Sequence, residues 1–205
     1  QNVGGIVGAM APESDLDHEA DISIAGDTSL SFAGEVRAGV RGCENTGSVS
    51  VKRQSAGGIA GWQSMGLVRD CRNTGAIEAA GAEQVGGIAG KSDGYLRACS
   101  ANCAIEGGNT VGGIAGSGAV VTDCRSMVRI TGSSEKTGAV LGIAAEPYAE
   151  TENPRSGNLY LPVMEDHGGI DGISYEGCSC RNLYDARRFY PHKSRGEGQF
   201  MAVLH

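Results

Sequence analysis

Short apolar stretches recur along the chain at intervals of 26 to 29 residues, separated by glycine and small polar residues. In each repeat a central apolar residue is flanked by glycine or another small residue. These central residues are Ile6, Phe32, Ile59, Ile88, Ile114 and Val140. The steps between them are 26, 27, 29, 26 and 26 residues. A period this regular is typical of stacked structural repeats.

A second set of apolar positions, which we call the cysteine column, keeps the same register. It comprises Leu16, Cys43, Cys71, Cys99 and Cys124, and each is followed after six residues by Ile22, Val49, Ile77, Ile105 or Ile130. The apolar stretches are too short and too interrupted for helices. We therefore predict an all-β parallel β-helix of six to seven coils, with three short strands per coil of about 26–30 residues. A right-handed coil is the expected hand for parallel crossovers.

Two linked motifs carry a family resemblance. Val85-Gly86-Gly87-Ile88-Ala89-Gly90 and Val111-Gly112-Gly113-Ile114-Ala115-Gly116, with Cys71-Arg72-Asn73-Thr74-Gly75, resemble GLUG-motif repeats across roughly residues 3–145. Two repeats depart from this pattern: the second has Leu30-Ser31-Phe32 in place of Gly-Gly-Ile, and the last has Gly138-Ala139-Val140. The resemblance implies a secreted or cell-surface bacterial protein, because such repeats occur in adhesin-like chains and in the non-catalytic part of IgA-cleaving metalloproteases. It does not imply an enzymatic site within the repeats themselves, and we expect no cofactor.

The chain divides at the point where the register weakens. We expect β-helix repeats over residues 1–145, then a degenerate last coil and a C-terminal capping segment over residues 146–205. Within the latter, Asn158-Leu159-Tyr160-Leu161 has the pattern of a strand. Because the first repeat begins at Val3, we expect the chain to be part of a longer surface protein.

Charge and hydropathy narrow the choice of partners. The 205 residues carry a formal net charge of −7, which argues against binding to a nucleic-acid backbone. No apolar run reaches the roughly 18 residues needed to cross a bilayer, so membrane insertion is not expected. The seven cysteines of a secreted chain would suggest disulfides. However, Leu16 fills the position that Cys43 and Cys71 occupy in later repeats, so we predict reduced thiols that pack as small apolar side chains.

One candidate binding site is a row of arginines. Arg41, Arg69 and Arg97 each stand two residues before a column cysteine, so they should stack on the outside of adjacent coils. A row of guanidinium groups suits the carboxylates or sulfates of acidic glycans. Alternatively, the arginines pair with the neighbouring Asp70 and Asp123 and only cover the flank.

Other candidates lie near the two ends of the chain. Tyr184 and Tyr190 are predicted either to cap the solenoid or to stack on sugar rings. Asp15, Asp17, Glu19 and Asp21 alternate along one predicted strand face, and they form either a weak Ca²⁺ site or a solvated surface. Cys178 and Cys180 with His167 or His192 make only a partial zinc set.

Two glutamates raise the question of catalysis. Glu78 and Glu106 each follow a column cysteine by seven residues and should be neighbours on adjacent coils. Such a pair could act as acid and base, but it more often keeps an outer sheet face soluble.

The leading functional hypothesis is a non-enzymatic adhesin-like scaffold whose lateral faces contact a glycan or a cell-surface protein. One alternative is a polysaccharide lyase or hydrolase acting on an acidic glycan, since parallel β-helices also host that chemistry. The other is a non-catalytic spacer of a larger surface protease.

Overall fold

The computed structural model describes residues 2–11, 38–131, 134–147, 150–160 and 180–182. Residues 180–182 are described by their backbone alone. Within these ranges every regular element is a β-strand and no helix occurs. All strand pairings between them are parallel. The described residues therefore form a β-solenoid of about four turns, which confirms the predicted fold class but has fewer turns than predicted over this part of the chain. The right-handed coil stays a prediction.

Each turn runs through its strands in the same order. The first coil contains β1 (Val3–Gly4), β2 (Val7–Met10), β3 (Gly39–Arg41), β4 (Glu44–Asn45) and β5 (Val49–Ser50). The second contains β6 (Ser55–Gly57), β7 (Ala60–Gln63), β8 (Leu67–Arg69), β9 (Arg72–Asn73) and β10 (Ile77–Glu78). The third contains β11 (Gln84–Gly86), β12 (Ala89–Arg97), β13 (Ser100–Ala101) and β14 (Ala104–Glu106).

The later coils repeat this order. The fourth contains β15 (Thr110–Gly112), β16 (Ala115–Thr122), β17 (Arg125–Ser126) and β18 (Arg129–Thr131). A last, partial coil contains β19 (Lys136–Gly138), β20 (Leu141–Ala144) and β21 (Asn158–Tyr160), and β22 (Cys180–Asn182) pairs with β21. The strand predicted at 158–161 is thus confirmed over Asn158–Tyr160.

Equivalent strands of successive coils form four sheets. Sheet A is β1-β6-β11-β15-β19, sheet C is β4-β9-β13-β17-β21-β22, and sheet D is β5-β10-β14-β18. In sheet B, the strands β2, β7, β12, β16 and β20 are neighbours in that order. Strand β8 pairs with both β12 and β3 in the same sheet. The complete coils thus have four or five strands each, on four sheets, and not the three per coil that the sequence predicted. The chain turns a corner at the Gly-Gly step. One strand of sheet A lies before this corner and one strand of sheet B lies after it, so a stretch that was predicted to form one strand forms two.

A one-residue bend separates sheet B from sheet C in every described coil. The residue before the column cysteine has a positive φ: 65° at Gly42, 53° at Asp70, 52° at Ala98 and 57° at Asp123. Each of these residues donates its backbone N–H to a carbonyl of the following coil at 3.0 or 3.1 Å. Left-handed backbone favours Gly, Asn and Asp, so Ala98 is the residue of this set with no such advantage.

The first coil contains an insertion where the sequence predicted a further coil. Val3 pairs with Ala56 and Val7 with Ala60, so the first and second rungs are adjacent. No coil centred on Phe32 lies between them, and that prediction was wrong. The inserted sequence between β2 and β3 includes residues 12–37, which lie outside the described residues. At the same place the second coil has only residues 64–66.

The interior consists of ladders of like residues. Ile59, Ile88 and Ile114 are fully buried at the corner between sheets A and B, and Val140 continues their row. Ile77 and its partner Ile105 form part of a second row on sheet D. Ile6, the first of the predicted central residues, is 45% exposed because it lies at the end of its row within the described residues.

Glycine is required where neighbouring coils approach closely. A Cβ on Gly87 would collide with the carbonyl oxygen of Gly113 on the next coil and with the side chain of Ala101. A Cβ on Gly58 would collide with the side chain of Asn73 in the same way. The Gly-Gly step therefore gives the sheet C side chains their room inside the coil.

Candidate functional site: the arginine column on sheet B

The predicted arginine row is present. Arg41 pairs in register with Arg69, and Arg69 pairs with Arg97, so β3, β8 and β12 place the three residues in one column. Val68 and Leu96, one residue earlier, point into the core and are fully buried. Because side chains alternate along a strand, the arginines point outward.

The arginines also contact the acids that follow them. Asp70 Oδ2 lies 3.0 Å from Arg69 Nε and 3.6 Å from Arg41 Nε. Asp123 Oδ2 lies 3.7 Å from Arg97 Nε. The ion pairs with neighbouring acids are therefore present, and a ligand-binding role of the column stays a prediction. All of these side chains are at least 40% exposed, so each pair contributes little, on the order of 0–1 kcal/mol.

Two large apolar side chains flank the column. Leu67 and Tyr95 are register partners two residues before Arg69 and Arg97, and they are 36% and 45% exposed. Besides them, Ile6 is the other exposed large hydrophobic residue in the described part of the chain. Sequence reasoning missed this pair, although strand alternation places it on the same outward face as the arginines.

We call this surface the arginine–tyrosine face, and it comprises Arg41, Leu67, Arg69, Tyr95 and Arg97. With Asp70 and Asp123 beside it, its formal charge is +3 − 2 = +1, on a chain of net charge −7. It combines arginines on three successive coils with exposed apolar side chains on two of them.

A second polar group lies farther along sheet B. Trp62 pairs with Lys91. Asp93 Oδ2 accepts a hydrogen bond from Trp62 Nε1 at 3.4 Å and lies 3.2 Å from Lys91 Nζ. The indole is thus tied to the sheet by its own polar neighbours.

The glutamate pair lies on a different surface. Glu78 and Glu106 are register partners, as predicted, and both are exposed. They belong to sheet D, whereas the arginine column belongs to sheet B. The fold therefore does not place the paired carboxylates in that column.

Several predicted sites fall outside the described residues. These are the Ca²⁺ candidates Asp15, Asp17, Glu19 and Asp21, the tyrosines Tyr184 and Tyr190, and the partial zinc set at 167–192. Among the residues that are described, no group of three or more His, Cys, Asp or Glu side chains could hold a metal ion.

The column cysteines are free thiols in the interior. Cys71, Cys99 and Cys124 are at most 1% exposed, Cys43 is half-buried, and none of them is in a disulfide. The thiols of Cys71 and Cys99 donate to the backbone carbonyl two residues earlier, at 3.2 and 3.3 Å. The prediction of packed, reduced thiols is confirmed for these residues.

Burial and thiol–thiol contacts suppress ionisation of the column cysteines. The hydrogen bond with the Cys124 thiol, together with burial, raises the pKa of Cys99 to about 12. The contact with Cys99 and burial raise the pKa of Cys71 far above its ordinary value. Away from the column, burial raises the pKa of Cys103 to about 12. Because the thiolate is the reactive form, these groups are structural at neutral pH.

A buried amide ladder supports the turn after the cysteines. Asn45 Nδ2 donates to Asn73 Oδ1 at 2.9 Å, and each asparagine also bonds the backbone two residues ahead, at Gly47 and Gly75. The two asparagines therefore bond both to each other and to the turn backbone. The ladder ends at Ala101, the register partner of Asn73.

The other end of the described solenoid is closed by a returning segment. Arg155 Nη1 donates to the carbonyls of Ala119 and Ala145, at 3.2 and 2.9 Å. Val121 N–H donates to the Pro154 carbonyl at 2.8 Å. These bonds satisfy part of the strand edge that β16 would otherwise expose.

In the described part of the chain, no helix is long and apolar enough to span a membrane. No protein-family model matches the chain, and the searches of curated proteins and of solved structures return no significant match.

Proposed function

We propose that the chain is a non-enzymatic scaffold of a secreted or cell-surface bacterial protein, with a binding surface on its flank. The observation that carries this proposal is the arginine–tyrosine face, where arginines repeat on three coils beside exposed apolar side chains on two of them. The resemblance to GLUG-motif repeats supports a surface location and a place in a longer adhesin-like chain. The ligand is a glycan or a cell-surface protein.

The fold supports a mechanical role for the rest of the molecule. Each coil is stacked on its neighbours by parallel hydrogen bonds and by rows of identical buried residues, so the face has a fixed spacing. A rigid, repetitive surface binds at a low cost in conformational entropy because its side chains are already in register.

A glycan array combined with a turnover assay tests this proposal. The purified protein is screened on the array, and acidic polysaccharides are incubated with it and assayed for new reducing ends and for unsaturated products. Binding without turnover is expected. Product formation would establish the lyase or hydrolase alternative. A pull-down with solubilised cell-surface proteins covers the protein ligands, and absence of binding in both the array and the pull-down would leave the spacer role and refute the binding module.

A further inference from the structure

We propose that the arginine–tyrosine face binds a polysaccharide that carries carboxylates on successive sugars, a uronate polymer. This inference rests on the proposed binding function and names its ligand class. Three separate observations support it: the spacing of the arginines, the partners that they already have, and the apolar side chains beside them.

The first observation is periodicity. Arg41, Arg69 and Arg97 are register partners on consecutive coils, so their Cα atoms repeat at roughly 4.8 Å, the distance between parallel strands. A polymer with a carboxylate on every sugar presents its charges in a row and can contact more than one arginine at once. Contacts of this kind reinforce one another, because the second forms within the same complex.

The second observation is chemical. The side chains that the arginines already contact are the carboxylates of Asp70 and Asp123. These ion pairs are exposed, and two of the three contacts are longer than 3.5 Å. Exchange of an aspartate for a ligand carboxylate therefore costs little, and guanidinium groups can bind carboxylates through two parallel hydrogen bonds.

The third observation is the apolar pair. Tyr95 and Leu67 lie on the same outward face, two residues before Arg97 and Arg69. An exposed tyrosine ring offers a flat apolar surface together with a hydroxyl, a combination that suits the face of a sugar ring. The arginines then bind the carboxylates of the polymer, while Tyr95 contacts a sugar ring.

Calorimetry with polygalacturonate oligomers tests the inference directly. The control ligand is the methyl-esterified form of the same oligomers, which keeps the sugar backbone and removes the charge. We expect the wild-type protein to bind the acid form, and to bind the ester at least about tenfold more weakly. Equal affinity for the ester would overturn the inference. Equal affinity for dextran sulfate would overturn the assignment to carboxylates.

Variants locate the site. The double variant Arg69→Gln/Arg97→Gln should weaken binding about tenfold or more, and Tyr95→Ala should weaken it severalfold. The matched control is Arg125→Gln/Arg129→Gln, which removes the same charge from exposed positions on sheets C and D. An equal loss in the control would show that only net charge matters, and would overturn the inference.

A measurement on the wild-type protein avoids any effect of substitution on folding. Hydrogen exchange with and without polygalacturonate should show slowed exchange in Leu67–Arg69 and in residues 95–97. Protection confined to other sheets would place the ligand elsewhere and refute the proposed site. If the array finds a different ligand and Arg69→Gln/Arg97→Gln leaves its affinity unchanged, this inference fails while the broader binding function stands.

Discussion

Replacement of Asn73 by alanine probes the buried amide ladder. The Asn73 side chain is fully buried and makes four contacts. It accepts from Asn45 Nδ2 at 2.9 Å and from Gly75 N–H at 3.1 Å, and it donates to the Gly75 carbonyl at 3.1 Å and to Cys103 Sγ at 3.3 Å. Alanine removes all four contacts at once and leaves the turn backbone without these bonds.

The expected loss follows from the number of bonds. Each of the three bonds to oxygen acceptors contributes a net amount of about 1 kcal/mol, and the contact with sulfur adds less. We therefore expect Asn73→Ala to lower the free energy of unfolding by about 3 kcal/mol, a large fraction of the roughly 5–15 kcal/mol typical of a domain.

Urea denaturation followed by circular dichroism measures this difference. The matched control is Asn102→Ala, which removes a half-buried amide from the turn of the next coil and should cost under about 0.5 kcal/mol. If Asn73→Ala and Asn102→Ala are equally mild, the amide ladder does not stabilise the turn and the reasoning is refuted.

Three further changes test other parts of the structure. Ala98→Gly should stabilise the protein by about 0.5 kcal/mol because φ is 52° there, whereas Ala104→Gly in strand β14 should destabilise it; the opposite order in thermal melts would contradict the assigned bend. Gly87→Ala should cost about 3 kcal/mol, since its Cβ collides with the next coil, while Gly39→Ala, whose Cβ has its nearest neighbour at 3.7 Å, should be tolerated; equal urea midpoints for the two would rule out the close approach. The hydrogen bond with Cys124, together with burial, raises the folded-state pKa of Cys99 from 9.0 to about 12, so its stabilising contribution is complete below pH 9 and declines above it by roughly 1.4 kcal/mol per pH unit; unfolding free energies that stay constant from pH 7 to 10 would contradict the raised pKa.

Much of the solenoid could be predicted because its residues repeat the same physical requirement. Ile88 and Ile114 fill the same internal corner, and Cys71 and Cys99 fill the same packing position, so a period in the sequence becomes a row in space. The arginine column followed from the same register, since Arg69 and Arg97 stand at a fixed distance before the cysteines. Counting residues was sufficient for these features.

The first coil shows where counting fails. Ser31-Phe32-Ala33-Gly34 keeps the spacing of the repeat, yet β1 and β2 pair directly with the strands of the next coil. Spacing alone does not reveal which segments pair, because an insertion of about one period preserves the register on both sides of it. The departure from Gly-Gly-Ile does not distinguish this repeat, because the last repeat has Ala139 in place of the second glycine and still forms β19 and β20.

The binding face was only partly predictable. The sequence indicated the arginines and their acidic neighbours, but the exposure of Leu67 and Tyr95 depends on which way each strand faces once it is paired. Their apolar character suggested burial, whereas alternation with Val68 and Leu96 directs them outward. Surface apolar residues of this kind emerge only when the register is known.

Methyl NMR of the isoleucine rows tests the central claim most directly. If successive coils stack like residues on like, the δ1 methyl groups should give NOEs for the pairs Ile6–Ile59, Ile59–Ile88 and Ile88–Ile114. The pair Ile59–Ile114 should give none, because two coils separate those residues by roughly 10 Å. Loss of the Ile59–Ile88 and Ile88–Ile114 contacts, or a direct Ile59–Ile114 contact, would contradict the solenoid. Absence of the Ile6–Ile59 contact alone would contradict the insertion in the first coil.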